Sequence, residues 1–320
     1  RLMHGMHGMS GPMWMPDVAP SVMRLLATHL QPVPLFPVLC VLLLFAYAAG
    51  VWVIHRRGGH WPVANTLAFG AGLVVMWLVT ATGVEGYGMM LFSVHMFQHM
   101  MLTMTVPILL LAGAPVTLAL RALPTRGGGG AVRRAIVTVL HSRVVRVLLN
   151  PAVRWFVFLS GLYGIYFTSL FDWLMSNVWG HYLMLGHFLV TGLLFFVPLV
   201  AADPVPGRAR PVFRILELFI STPFHAFFGI AVMMATTPIV SFFMHPPESW
   251  GVDVLDDQNT GGAIAWAFSE VPTLMVMAVV FAQWVRSEQR DEARRERRGQ
   301  QEADELAAYN AYLADLNRRD

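Results

Sequence analysis

The 320-residue sequence predicts an all-α fold, a polytopic membrane bundle of seven transmembrane helices, and three observations carry that prediction. Hydrophobic residues make up 56% of the chain and charged ones only 13%, which excludes the soluble globular class. The apolar residues gather in stretches near 34–54, 61–83, 91–112, 152–171, 180–201, 213–243 and 263–285. Each is about long enough to cross a hydrocarbon core of ~30 Å at ~1.5 Å rise per residue. Third, the basic residues alternate from loop to loop. Within lipid each backbone amide must be satisfied inside its own segment, so the spans are helices. Barrel strands would be shorter and would alternate polar with apolar residues.

All 22 basic residues are arginines. Arg56 and Arg57 lie between spans one and two, and Arg121 to Arg154 flank the connection of three to four. Arg208, Arg210 and Arg214 lie between five and six, and the rest follow span seven. The alternate loops 84–90, 172–179 and 244–262 have none, and the N-terminal segment has only Arg1 and Arg24. The positive-inside rule then places the N-terminus outside and the C-terminus inside. These arginines suit topology and an anionic bilayer, and no nucleic-acid partner is expected. Residues 1–33 lack the apolar core of a signal peptide, so the first span is expected to direct insertion. The chain begins at Arg1, which fits a trimmed product or a piece of a longer one.

Three regions follow. Residues 1–33 form an extracytoplasmic Met/His-rich tail, opening Met3-His4-Gly5-Met6-His7-Gly8-Met9, whose many prolines oppose a long helix. Residues 34–285 form the membrane domain, with Gly127–Gly130 expected to break the chain before an amphipathic helix at about 131–149 on the inner surface. Residues 286–320 form a charged, helical cytoplasmic tail. The lone Cys40 supplies neither a disulfide framework nor a metal pair. No nucleophile elbow, phosphate loop, dinucleotide fingerprint or paired-carboxylate motif is present, and no enzymatic activity is expected.

Function is sought in the polar groups inside the spans, because such groups are costly in lipid unless paired or ligated. His95 and His99 in span three are four apart and share a helix face. Met96, Met100 and Met104 form a thioether row beside them. Span five carries His181 at its mouth, then Met184 and His187; span six holds His225, and span seven holds Glu270. At helical rise His99 lies ~12 Å and His187 ~10 Å below the outer surface, and Glu270 falls at a matching depth. Two chemistries fit. Imidazole suits copper, zinc and iron, whereas thioether sulfur favours Cu(I), so His95, His99, His187, His181 and His225 with Met100, Met184 and Glu270 are candidate ligands. His4, His7, Met3 and Met6 of the tail are candidates for capture outside. The alternative is haem on axial histidines, with the methionines as packing. A lone membrane histidine more often hydrogen-bonds across helices than binds metal, and methionine is a common core filler.

His95-Met96-Phe97-Gln98-His99-Met100, followed by Pro107 and Gly113-Ala114-Pro115-Val116-Thr117-Leu118, resembles the multispan CtaG-type family of caa(3) cytochrome c oxidase assembly factors. Further matches are His187, Pro198, Asp203-Pro204, Pro223-Phe224-His225-Ala226-Phe227-Phe228-Gly229, Asp257-Gln258, Gly261-Gly262, Trp266, Glu270 and Pro272. The resemblance covers about 60–285. It implies a seven-helix factor needed to form active haem–copper oxidase, through copper delivery to the oxidase catalytic subunits, with a copper donor protein outside as a further partner. A copper permease and a haem-binding electron carrier are the rival readings.

Overall fold

The computed structural model describes residues 13–125, 127–200, 203 and 211–316. A short α1 (Val22–Leu26) is capped by Ser21. Prolines then open the first two spans: α2 (Leu35–Arg56) follows Pro34 and α3 (Val63–Thr80) follows Pro62. The small α4 (Gly83–Tyr87) is capped by Thr82 and leads into the third span. That span is α5 (Phe92–Met100), a π-helical turn Met101–Thr105, and α6 (Val106–Ala112). A left-handed Ala114 (φ 49°) turns the chain into α7 (Pro115–Ala122).

On the same side, α8 (Gly127–Leu140) and α9 (Arg143–Leu148) precede α10 (Pro151–Leu159) and a second π-helical turn, Ser160–Gly164. Then come α11 (Leu170–Met175), α12 (Val178–Val200), α13 (Pro211–Met234) and α14 (Val254–Leu316). Six of the described helices are long and apolar enough to span a membrane. The count is seven if α8–α9 and α10 with its π turn, bent by 65°, make one broken span.

Four boundaries differ from the sequence reading, each for a local reason. The helix does break between α7 and α8, with Gly127 at φ +72° making the bend, but Gly128–Gly130 already lie in the first turn of α8. The amphipathic helix is split at His141–Ser142, where the Ser142 hydroxyl accepts the Val145 N–H (3.2 Å) and starts α9. The sixth span stops at Met234, four residues before Pro238, which cannot continue a helix. Span seven and the charged tail are one helix, α14, since neither Gly nor Pro interrupts 273–298.

The loops sort onto two faces. Asp257 at the start of α14 accepts the backbone N–H of Phe92 at the start of α5 (2.6 Å), so these spans begin together. Asp172 receives the Phe242 N–H (3.0 Å) on that same arginine-poor face. Residues 13–33 form a strap across it. His29 N–H donates to the Ala81 carbonyl (2.9 Å), and Trp14 stacks on His29 with ring centres 3.6 Å apart. At the opposite, arginine-rich face Asp203 accepts the N–H groups of Val116 (3.2 Å) and Thr117 (2.6 Å) and so caps α7. Close approach of α13 and α14 depends on small residues, because a Cβ on Gly229 would lie 2.8 Å from the Gly262 carbonyl oxygen.

Candidate functional site

The buried polar groups concentrate in the arginine-poor half. α5 presents His95 and His99, 0% and 2% exposed, to Tyr166, which follows the second π-helical turn and is fully buried. The Tyr166 hydroxyl lies 2.9 Å from His95 Nε2 and 2.8 Å from His99 Nδ1. One hydroxyl has one proton: it donates to one imidazole and accepts from the other. The two rings are therefore coupled, and the tautomer of one dictates that of its neighbour. Stacking on Phe188 fixes His99 further (3.9 Å, interplanar angle 16°), with the Tyr166 ring near-parallel alongside (5.4 Å, 13°). His95 is caged edge-on by Phe171 and Phe188, and its Nδ1 has no hydrogen-bond partner among the described residues.

Beneath His99 is a cavity of about 10 Å³, lined by His99, Thr103, Phe158, Phe188, Thr191 and His225 among others. That is near the least space a single water needs. Helices α5, α10, α12 and α13 thus meet around two imidazoles. Both π-helical turns flank this region, one just after His99 and one just before Tyr166. Such turns recur at functional sites because the inserted residue redirects the side chains that follow. Pro107 lacks the N–H that would bond Thr103 O. Gly192 on α12 packs against that carbonyl, where a methyl group would clash. His187 stands at the edge of the cavity, half-buried, with Nε2 3.4 Å from Thr191 Oγ1. It fits there because Gly161 has no side chain: a Cβ would lie 2.7 Å from His187 Nε2.

A second network is nearer the surface. His181 Nε2 is 2.9 Å from Glu85 Oε1, and its Nδ1 is 3.3 Å from Met175 Sδ. The other Glu85 oxygen accepts from Gln98 Nε2, which also donates to the Val79 carbonyl (2.7 Å).

The structure brings together some of the sequence-proposed residues and separates others. His95 and His99 join through Tyr166, while His99 and His225 share the cavity. His187 adjoins it, and His181 belongs to the Glu85 network. Met100 and Met184 are fully buried but lie off the cavity wall. Glu270 is half-buried on α14, also off that wall, two residues beyond Phe268, which packs edge-on against Phe97. Met3, His4, Met6 and His7 fall outside the described residues. Among the described residues no three of His, Cys, Asp and Glu are arranged to hold a metal ion.

Tyr166, Glu85 and Met175 escaped the sequence reading. Tyr166 and Met175 are apolar enough to pass as core, and Glu85 sits in a short connection where an acid is unremarkable. Conversely, Asp203 and Asp257 of the resemblance prove to be helix caps, and Gln258 accepts the Ile239 N–H at 2.8 Å.

Fold and site together define a multi-pass membrane protein of the bacterial plasma membrane with a buried imidazole–tyrosine cluster. The chain belongs to the cytochrome c oxidase caa3 assembly factor family, which matches it over residues 45–287. It is similar to uncharacterised proteins of Mycobacterium bovis and Mycobacterium tuberculosis, each 42% identical over 283 residues, and to one of Mycobacterium leprae, 40% identical. These matches cover 87% of the chain but 43% of each relative, so the chain spans about two fifths of the length of the curated relatives it matches. No solved structure matches it.

Proposed function

We propose that the chain is a non-catalytic assembly factor for haem–copper cytochrome c oxidase that binds copper on the extracytoplasmic side and delivers it to the catalytic subunits. The observation that carries this reading is the meeting of His99 and His225 at one small cavity, with His95 tied to His99 through Tyr166. Buried imidazoles without a carboxylate partner are free to ligate, and they suit copper. Two imidazoles with hydroxyl neighbours hold an ion less completely than a closed four-ligand site. That favours handover. Met3, His4, Met6 and His7 would capture Cu(I) from an outer donor protein, and Glu270 would support the bundle around the site.

The rivals fit less well. A cavity of about 10 Å³ admits a single ion or water and falls far short of a porphyrin, which disfavours haem. A permease needs exchangeable groups through the inner half. There Glu217 is held by Arg154 at 2.9 Å.

The test is metal analysis of purified wild type, His99→Ala and His225→Ala, with oxidase activity assayed in the same cells. Both variants are expected to lose copper and to lower oxidase activity several-fold. Wild-type copper with full activity in both would remove the site assignment.

A further inference from the structure

We propose that His181 and Met175 form a second soft-metal site, separate from the His99 cavity, with Glu85 as its positioning residue. All three side chains are at most 1% exposed. A carboxylate accepts hydrogen bonds and does not donate them, so the 2.9 Å contact places a proton on His181 Nε2. In its neutral form the ring turns a lone pair, at Nδ1, towards Met175 Sδ, which carries lone pairs of its own. Two acceptors 3.3 Å apart with nothing between them make a poor contact. A soft cation resolves it. With metal–N and metal–S bonds of about 2.0 and 2.3 Å, a 3.3 Å separation corresponds to a ligand–metal–ligand angle of about 100°, that of neighbouring tetrahedral positions.

The surroundings have the form of a ligand sphere. A metal-binding histidine characteristically donates its other ring N–H to a carboxylate, which fixes tautomer and orientation. Glu85 does this with one oxygen. Its other oxygen is held by Gln98, which is anchored in turn on the Val79 carbonyl. A neutral nitrogen and a thioether select a soft, low-charge ion; harder divalent cations prefer carboxylate and water. The identity of that ion as Cu(I) rests on the copper reading above. Binding moves no electron and, with His181 neutral, releases no proton.

Position suits an earlier station than the His99 cavity. Met13 of the strap lies 3.9 Å from the Tyr182 hydroxyl, next to His181, and the Met3–Met9 repeat precedes it in sequence. On the other side, α11 packs Phe171 on the His95 ring (5.0 Å) and, one turn on, points Met175 at His181. An ion at His181 would be one helix turn from the cluster.

The experiment uses the full chain in detergent, loaded anaerobically with Cu(I). Stoichiometry and affinity are read by competition with a chromophoric chelator, and ligand type by X-ray absorption at the copper edge. Met175→Leu, close in volume, is expected to bind one ion fewer per chain and to lower the sulfur scattering, while Met277→Leu, on α14, changes neither. Glu85→Gln is expected to keep the sulfur scatterer and weaken binding by roughly 10- to 100-fold. Unfolding temperatures near wild type certify the variants. Unchanged stoichiometry and sulfur scattering in Met175→Leu overturn the proposal, leaving His181 as the protonated partner of Glu85. If wild type takes up no copper, the functional reading falls too. If His99→Ala lowers uptake and Met175→Leu does not, this proposal alone falls.

Discussion

The two halves of the bundle handle buried polarity in opposite ways. In the arginine-rich half, Arg154 is 4% exposed and held on every nitrogen: Nε donates to the Leu149 carbonyl (3.2 Å), one terminal nitrogen to the Phe195 carbonyl (3.3 Å), and both terminal nitrogens reach Glu217. Arg214 likewise donates to the Leu199 carbonyl. In the arginine-poor half the buried groups are mostly imidazole, hydroxyl and thioether. There the Tyr166 hydroxyl serves two rings, and among the described residues the His95 Nδ1 and the Thr103 hydroxyl have no hydrogen-bond partner. A buried full charge is tolerable only with a close partner and further hydrogen bonds, and a group so engaged is lost to ligand chemistry. Neutral groups tolerate partial satisfaction at modest cost, and it is they that retain lone pairs for a visiting ion. One half is braced and the other is receptive.

The largest effect expected from breaking this contrast lies in the braced half. Glu217→Ala leaves the Arg154 guanidinium buried without its carboxylate, which costs about 3–5 kcal/mol. Thermal unfolding in detergent should show a large loss. Replacing both partners by leucine should recover most of it, since apolar packing of similar volume substitutes well for a buried pair. Copper content of the double variant should match wild type. A double variant that stays folded but loses copper would show that the Arg154–Glu217 pair belongs to the ion's route.

A smaller effect is expected at the junction of the two histidines. Tyr166→Phe removes the hydroxyl that couples His95 to His99 while keeping the ring that stacks on His99. Leaving buried imidazole nitrogens unsatisfied costs about 1–3 kcal/mol. The tautomers should then become independent. Nitrogen-15 NMR of the imidazoles reads this directly: the wild type should show one fixed tautomer per ring, and the variant a mixture. A fixed pair in Tyr166→Phe would mean that the aromatic cage, not the hydroxyl, sets the orientation.

How much of this was legible in the chain divides along the same line. Span positions and their alternation followed from apolar length and arginine placement, because lipid imposes those rules segment by segment. Ends set by a local signal were also within reach, as at Pro34 and Pro62. The histidine cluster was half legible: the depths of His99 and His187 came from counting residues, but depth does not fix azimuth. Two π-helical turns rotate the side chains that follow them, and periodicity of 3.6 cannot anticipate them. His225 lines the cavity with His99 while Glu270, counted to the same level as His99, lies off it, because counting residues gives depth and not the direction a side chain faces. Asp257 shows the opposite limit. Its partner, Phe92, is 165 residues away, and no local pattern announces a cap supplied by another helix.

That cap offers the smallest and most localised test. Asp257 accepts the Phe92 N–H at 2.6 Å and also bonds the Ser93 hydroxyl, closing the first turn of α5. Loss of an N-cap costs roughly 0.5–2 kcal/mol. Because α5 runs only nine residues before its π turn, a frayed first turn reaches His95 before anything else. Asp257→Ala should therefore speed amide exchange at Phe92 to His95 and leave the arginine-rich half, around Arg154, at wild-type rates. Asp257→Asn, which keeps an acceptor oxygen, should restore most of the protection. If exchange rose equally in both halves, the bundle would unfold as one cooperative unit, and the division between a braced and a receptive half would be one of chemistry alone, without a difference in local stability.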